Sequence, residues 1–231
     1  MTPKVFGIEH ILYIIISTIV GATCLFLAKK FAKTEKSQNI TLKILAGLLF
    51  VSIITNRLSQ VFRYDNVRWH CIIPDSFCGM TSLVLSLAVL LGKKNNGVLH
   101  FAWLLGLFGG VSTIIYADFV GQSSSIFYLP TISGLLHHSF SAMLVVALLM
   151  FKYIDVTYKK WYCTLFGFTC YLTVGAFLMH TFDMSDAFHI AEPLLSGTPL
   201  TAWVMAPMYF SAYALILLII EFIKRKKLKS N

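Results

Sequence analysis

Seven long apolar stretches alternate with short polar connections along this chain. A helix needs roughly 20 mostly apolar residues to cross a bilayer, and each stretch is close to that length. Because lipid cannot hydrogen-bond the backbone, stretches of this kind must form helices. The pattern therefore predicts an all-α, polytopic membrane bundle with seven transmembrane helices over residues 6–28, 40–62, 74–92, 97–117, 129–151, 161–180 and 200–223.

The composition predicts one membrane domain. Of the 231 residues, 57% are hydrophobic and 13% are charged, whereas a soluble domain has about 45–50% apolar and about 25% charged residues. No long stretch is polar enough for a separate soluble domain, so a single integral membrane domain is predicted over residues 1–231. The first apolar stretch is longer than the core of a signal peptide and lacks an A-x-A-like cleavage pattern, so we expect it to remain as the first span.

Basic residues are concentrated on alternate connections. The first, third and fifth connections and the tail hold 15 of the 19 Lys and Arg residues. The positive-inside rule makes this side cytoplasmic, which places the N-terminus outside and the C-terminus inside. We therefore expect a multi-pass protein of the cell membrane. The formal net charge of +9 follows from this topology and from contact with anionic lipids, so no nucleic-acid partner is predicted.

Polar and ionisable residues gather at the predicted outer ends of the spans. Six of the seven histidines lie there, and His100 alone lies on the cytoplasmic side. Ionisable groups at membrane depth are costly and usually mark function, although a single one can simply reach interfacial water. Because these residues come from several spans, we expect them to form one site. The supporting candidates are His10, Arg57, Gln60, Asp75, Asp118 and His137.

The third predicted span begins with a cysteine in a helix-start context. Pro74 suits the first helical position, and Asp75 and Ser76 suit the residues around it. Cys78 would then lie in the first turn, where unpaired amide donors favour a thiolate and can cradle an oxyanion. Three interpretations are open: Cys78 is a nucleophile, an inert buried thiol, or half of a disulfide with Cys71.

Two adjacent histidines lie within the fifth predicted span. Pro130 is predicted to begin that helix, which places His138 about 12 Å below its start at about 1.5 Å per residue. Adjacent helical side chains point about 100° apart, so His137 and His138 do not both face one metal. No H-x-x-x-H pattern occurs either, so no metal site is predicted. An imidazole near a helix-start thiol is the minimum for Cys–His acyl transfer, which makes Cys78 and His138 the candidate catalytic residues.

Arg57 is the one arginine well inside a predicted span. A guanidinium binds phosphate or carboxylate through two parallel hydrogen bonds. Two interpretations are open: Arg57 holds a lipid phosphate, or it pairs with Asp75 or Asp118.

Small residues recur at helical spacing in two predicted spans. Gly106, Gly109 and Gly110 lie in the fourth, and Ser17 and Gly21 lie in the first. Small residues let helix backbones approach closely in lipid, so we expect both faces to be packing surfaces.

Three parts of the chain form a recognisable set: residues 74–78 with the apolar run 82–86, the Gly-rich stretch 106–110 leading to Asp118, and His138 with the apolar run after it. Together they resemble the YwaF-like integral membrane family of bacteria, over nearly the whole chain. An animal relative of that family is a membrane acyltransferase that moves polyunsaturated acyl chains onto ether lysophospholipids. Ser76 stands where bacterial members tend to have His, and Asn56 stands where Glu is expected.

The resemblance implies an acyltransferase that works at the outer leaflet. It would move an acyl chain between lipids, or from a lipid to a lipoprotein amine, so membrane lipids and a lipoprotein acceptor are the expected partners. Cys78 would carry the acyl group as a thioester, His138 would be the base, Asp118 or Asp75 would orient the imidazole, and Arg57 would contact a phosphate. No cofactor is expected. The alternatives are a non-catalytic binding or transport subunit for a small molecule or lipid, and a helper subunit of another membrane protein.

Overall fold

The computed structural model describes residues 6–63, 67–117 and 125–229, and helices dominate this part of the chain. Short 3₁₀ turns also lie at Trp69–Ile72, before the third helix, and at Tyr158–Lys160, before the sixth. The described residues contain no β-strand, so the predicted all-α class is confirmed. The seven α-helices found there are α1 (Ile8–Phe31), α2 (Glu35–Val61), α3 (Phe77–Leu90), α4 (Gly97–Ile115), α5 (Leu129–Met150), α6 (Trp161–Phe182) and α7 (Ala202–Lys229).

α2 and α7 are longer than the apolar pattern predicts. α2 begins at Glu35 rather than at residue 40, since Thr34 and Ser37 form a capping box. The Thr34 hydroxyl accepts from the Ser37 amide at 3.2 Å, and the Ser37 hydroxyl accepts from the Thr34 amide at 3.1 Å. Two otherwise unpaired amides are satisfied, which stabilises the extra turn. α7 continues through the basic tail to Lys229.

α3 is shorter than predicted and begins later. The prediction placed Pro74 at its start, but the cap is Ser76, whose hydroxyl accepts from the Gly79 amide at 3.2 Å. The 14 residues of α3 rise only about 21 Å at about 1.5 Å per residue, less than the roughly 30 Å hydrocarbon core. Among the described helices, the six others are long and apolar enough to cross a membrane. The seventh span stays a prediction.

α5 is the central helix of the bundle, and α1 and α7 are peripheral. Each of these helices contains an apolar window of 18 residues. In α5, 61% of the residues in that window are buried, whereas in α1 the share is 6% and in α7 it is 11%. α5 packs against α2 and α4, and both of these also pack against α3. Large apolar side chains of α1 and α7 point outward, as expected where lipid is the solvent.

Helices that follow one another in the chain run in opposite directions, so the bundle has two distinct ends. One end, called the site end, is where α1, α3, α5 and α7 begin. There the His10 ring contacts the Ile114 carbonyl at 2.9 Å. The Asn56 side chain donates to the Pro130 carbonyl at 3.0 Å at the same end. At the basic end, α2, α4 and α6 begin. Two exposed ion pairs connect its loops and helices: Lys94 to Glu35 at 3.3 Å, and Lys224 to Asp155 at 2.7 Å.

The glycine-rich face of α4 allows it to approach α5 and α3 closely. A Cβ added at Gly110 would lie 2.7 Å from the backbone oxygen of His138, and one at Gly106 would lie 3.0 Å from the Ser141 hydroxyl. Ser141 also donates to the Gly106 carbonyl at 3.1 Å. The predicted packing role of this face is confirmed. Its consequence is that the α5 backbone at His138 lies directly against α4.

Candidate functional site

A buried polar cluster lies between four helices near the site end. Its side chains come from α2, α3, α4 and α5, and most of them are almost inaccessible to solvent. Buried polar groups in a helical membrane bundle must bond to one another, and they usually mark function. The members of the buried polar cluster are Arg57, Cys78, Ser82, Thr113, His137 and His138.

Cys78 is the second residue of α3, so the prediction of a first-turn position is confirmed although the helix begins later. Its thiol lies close to the side chain of Thr113 on α4. A Cβ added at Gly109 would lie 2.8 Å from the sulfur, so only glycine at this position leaves room for the thiol. Cys78 therefore fills the gap between α3 and α4.

The disulfide interpretation of Cys78 is wrong. All five cysteines lie in the described part of the chain, and each is a free thiol. Cys71 lies in the 3₁₀ turn before α3, where partial burial raises the pKa of its thiol above the ordinary value. The nucleophile and inert-thiol interpretations of Cys78 both stay open.

The side chains of His138 and Cys78 both lie beside Gly109 of α4. The His138 imidazole lies against the Gly109 backbone, and a Cβ added at the same residue would lie 2.8 Å from the Cys78 sulfur. α5 begins where the sequence predicts, with Pro130 in its first turn. The structure therefore brings the thiol and this imidazole, from α3 and α5, to one point on α4.

His137 is buried beside His138 and has a partner of its own. The two imidazole rings lie 4.1 Å apart between centroids, with their planes inclined at 34°. The Nδ1 atom of His137 lies 3.1 Å from the Ser82 hydroxyl of α3. Sequence reasoning missed Ser82. The available signal was its spacing, because a residue four positions after Cys78 lies on the same face of α3.

Arg57 pairs with Asp75, one of the partners that the sequence left open. Its Nη1 donates to the Asp75 carboxylate at 2.8 Å, with side-chain exposures of 10% for Arg57 and 36% for Asp75. The guanidinium also interacts electrostatically with His137. Its Nε is buried and has no hydrogen-bond partner among the described residues. Arg57 therefore connects the half-exposed Asp75 with the buried histidines and retains a free donor.

Two other predicted site residues, His10 and Gln60, do not join the buried polar cluster. His10 accepts from the Phe6 amide through Nδ1 at 3.0 Å, so its Nε2 carries the proton and donates to the Ile114 carbonyl. That arrangement attaches α1 to the end of α4. Gln60 accepts from Arg63 at 3.4 Å near the surface. Asp118 lies outside the described residues.

The connection between α6 and α7 covers the start of α3, which the sequence did not reveal. The Phe188 amide donates to the Asp75 carbonyl at 2.7 Å. The Phe188 ring packs against Phe77 at 5.4 Å and Tyr171 at 5.5 Å between centroids. Phe188 and His189 both have positive φ, 55° and 56°, which is costly for residues other than glycine. The buried Phe188 side chain holds this backbone in place.

No group of three or more His, Cys, Asp or Glu side chains in the described part of the chain is arranged to hold a metal ion. His137 bonds instead to Ser82, and His138 lies against the Gly109 backbone.

A bundle of long apolar helices around a buried polar cluster defines a multi-pass helical membrane protein. The model of the TMEM164 family matches residues 5–224, and the chain belongs to this family. The match includes α1 to α6, most of α7 and every member of the buried polar cluster. Neither the curated proteins nor the solved structures contain a match to this chain.

Proposed function

We propose that this protein is an integral membrane acyltransferase that moves a fatty acyl chain between lipids, or from a lipid to a lipoprotein amine. The observation that carries the proposal is the approach of the Cys78 thiol and the His138 imidazole to Gly109 from two different helices. A thiol and an imidazole in one buried, polar and water-poor place are the parts required for covalent acyl transfer. The resemblance to the YwaF-like family suggests the same chemistry.

In the first half-reaction, Cys78 attacks the acyl carbon of the donor ester. The thiol proton passes to His138, the S–C bond forms, and the C–O bond of the donor breaks. The leaving oxygen takes the proton back from His138, so that a lysolipid leaves and a thioester remains on Cys78. In the first turn of α3 the Gly79 amide donates to Ser76, so the amide of Cys78 itself is the donor suited to stabilise the oxyanion of the tetrahedral intermediate.

The second half-reaction transfers the acyl group to the acceptor. His138 takes the proton of the acceptor hydroxyl or amine, the new O–C or N–C bond forms, and the S–C bond breaks. The thiolate then recovers a proton from His138, which returns the site to its starting state. No soluble cofactor takes part in either half-reaction.

Arg57 is positioned to hold a charged lipid group beside the reacting atoms. Its Nη1 is occupied by Asp75, but its Nε is buried and unpartnered among the described residues. A guanidinium binds phosphate oxygens strongly where water is excluded. We assign to Arg57 the phosphate of the donor or acceptor lipid.

The site end faces the outside in this proposal, because 15 of the 19 basic residues lie toward the basic end. Cysteine labelling tests the orientation. In a background without native cysteines, Phe127→Cys is expected to react with an impermeant maleimide in intact cells, since Phe127 is 81% exposed at the site end. Lys159→Cys, at the basic end, is expected to react only after the membrane is permeabilised. The reverse pattern would overturn the orientation.

Activity is tested with purified protein in nanodiscs that contain a donor phospholipid with an isotope-labelled acyl chain and an unlabelled lysophospholipid acceptor. Wild type is expected to produce labelled acceptor, measured by lipid mass spectrometry, and Cys78→Ser is expected to abolish it. A matched control is Cys24→Ser, because Cys24 is exposed on the peripheral helix α1. Full transfer by Cys78→Ala would exclude the thioester mechanism.

A further inference from the structure

Ser82 and His137 form a second nucleophile–base pair inside the buried polar cluster. The Ser82 hydroxyl lies 3.1 Å from Nδ1 of His137, within the range typical of an activated serine and its base. Ser82 is 1% exposed and His137 is 5% exposed, so water does not compete for this bond. Ser82 also lies one helical turn after Cys78 on the same face of α3, with about 5–6 Å between the Cβ atoms of such neighbours.

The partner of Ser82 differs from that of two other buried serines, Ser52 and Ser86. Their hydroxyls donate to backbone carbonyls of their own helices, each at 2.7 Å. That is the usual way for a helical serine to satisfy its hydroxyl. The Ser82 hydroxyl instead contacts a side chain of α5, across the space between two helices. The contact orients both groups toward the buried polar cluster.

The surroundings of His137 complete the arrangement of an active serine. The His138 ring lies 4.1 Å away and restricts the rotation of the His137 ring. Ser82 and His137 are therefore a hydroxyl and a base in contact, with the His138 ring limiting the orientation of the base, which is the pairing that activates a serine.

We propose that Ser82 is a second acyl-carrying nucleophile of this site, with His137 as its base and the Cys78 thioester as its acyl donor. This inference rests on the proposed acyl transfer. His137 takes the Ser82 proton at Nδ1, the new O–C bond forms at the acyl carbon, and the S–C bond of the thioester breaks. The Cys78 sulfur receives the proton from His137. An acceptor hydroxyl then gives its proton to His137 and takes the acyl group, and the Ser82 oxygen recovers the proton as its O–C bond breaks.

The chemistry of the two nucleophiles favours an adduct on serine. An acyl group that moves from one oxyester to another changes little in free energy, whereas a thioester formed from an oxyester lies higher. An acyl group held on Ser82 therefore accumulates more than one held on Cys78. It also resists neutral hydroxylamine, which cleaves thioesters.

A fluorophosphonate probe tests the pair without any need for acyl transfer. It phosphorylates an activated serine and releases fluoride, and peptide mass mapping gives the modified residue. With full-length protein in nanodiscs, Ser82 is expected to be modified in wild type and in Cys78→Ala. His137→Ala is expected to slow the modification by about 100-fold, the usual contribution of a general base. Ser86→Ala is the matched control and is expected to react at the wild-type rate.

A second measurement separates this inference from the proposed function. The lipid transfer assay is repeated with Ser82→Ala and Ser82→Cys, and thermal unfolding shows that both variants are folded. Ser82→Ala is expected to lose transfer, and Ser82→Cys is expected to form an adduct at residue 82 that neutral hydroxylamine removes. Full transfer by Ser82→Ala, with the acyl group only on Cys78, would overturn the role of Ser82 and leave the proposed function intact. Absence of transfer and of any adduct in wild type would overturn both.

Discussion

The two ends of the bundle both contain a buried histidine, but they use it differently. At the basic end, Nε2 of His100 bonds to Asn95 at 2.7 Å, and the same Asn95 oxygen accepts from the Asp155 amide at 3.0 Å. These bonds close the loops over the helix ends. At the site end, His137 bonds to Ser82, and His138 lies against Gly109 beside the half-buried thiol of Cys78. Burial of a histidine therefore does not by itself identify a functional site, whereas the groups that it contacts do.

The largest expected difference between the two ends is in activity. His138→Ala is expected to lower acyl transfer by at least about 100-fold, because it removes the general base. The double variant Cys78→Ser with His138→Ala is expected to be no worse than either single variant, since members of one catalytic unit act together. His100→Ala is the control and is expected to keep near wild-type transfer. A comparable loss in His100→Ala would remove the distinction between the ends.

A smaller effect on activity is expected from Gly109→Ala, which tests how closely α4 approaches the thiol. The new Cβ would lie 2.8 Å from the Cys78 sulfur, so the thiol must rotate away from its position. Misplacement of a reacting group by about 1 Å costs up to about 100-fold in rate. Gly47→Ala is the control, because nothing lies within 4 Å of its added Cβ. Transfer rates of both variants, measured beside their melting temperatures, check this expectation. Wild-type activity in Gly109→Ala would contradict the geometry.

The sequence predicted the helices well wherever the apolar pattern and the local caps agree. Pro130 lies in the first turn of α5, as the pattern predicts. The start of α3 was wrong because Ser76, not Pro74, supplies the hydroxyl that caps the first turn. A proline in a helix-start context does not show which of its neighbours will accept that bond.

The candidate site was only partly predictable, because its bonds join residues far apart in the chain. Cys78 and His138 could be selected by their position in the helices, but the bond between Ser82 and His137 depends on how α3 packs against α5. His10 and Gln60 had the same polar character and still lie elsewhere, with partners of their own. Composition gives the candidates, and tertiary packing selects among them.

The smallest effect on activity is expected at the basic end, where a change affects stability alone. Asn95→Ala removes the side-chain oxygen that accepts from His100 and from the Asp155 amide. It also places alanine at a φ of 59°. Together these changes are expected to cost about 2 kcal/mol in the free energy of unfolding. Acyl transfer by the folded fraction is expected to be unchanged, measured beside thermal unfolding in the same detergent. A specific loss of activity would show that the two ends are coupled.

The location of the acyl group on the protein tests the central claim most directly. Full-length protein in nanodiscs is incubated with a donor phospholipid whose acyl chain ends in an alkyne, without an acceptor, and is then quenched with acid and digested. We predict a labelled acyl group on α3, at Cys78 or Ser82, with neutral hydroxylamine distinguishing thioester from oxyester. Phospholipid that leaves no acyl group on α3, or labels only cysteines outside the buried polar cluster such as Cys24, would contradict the account.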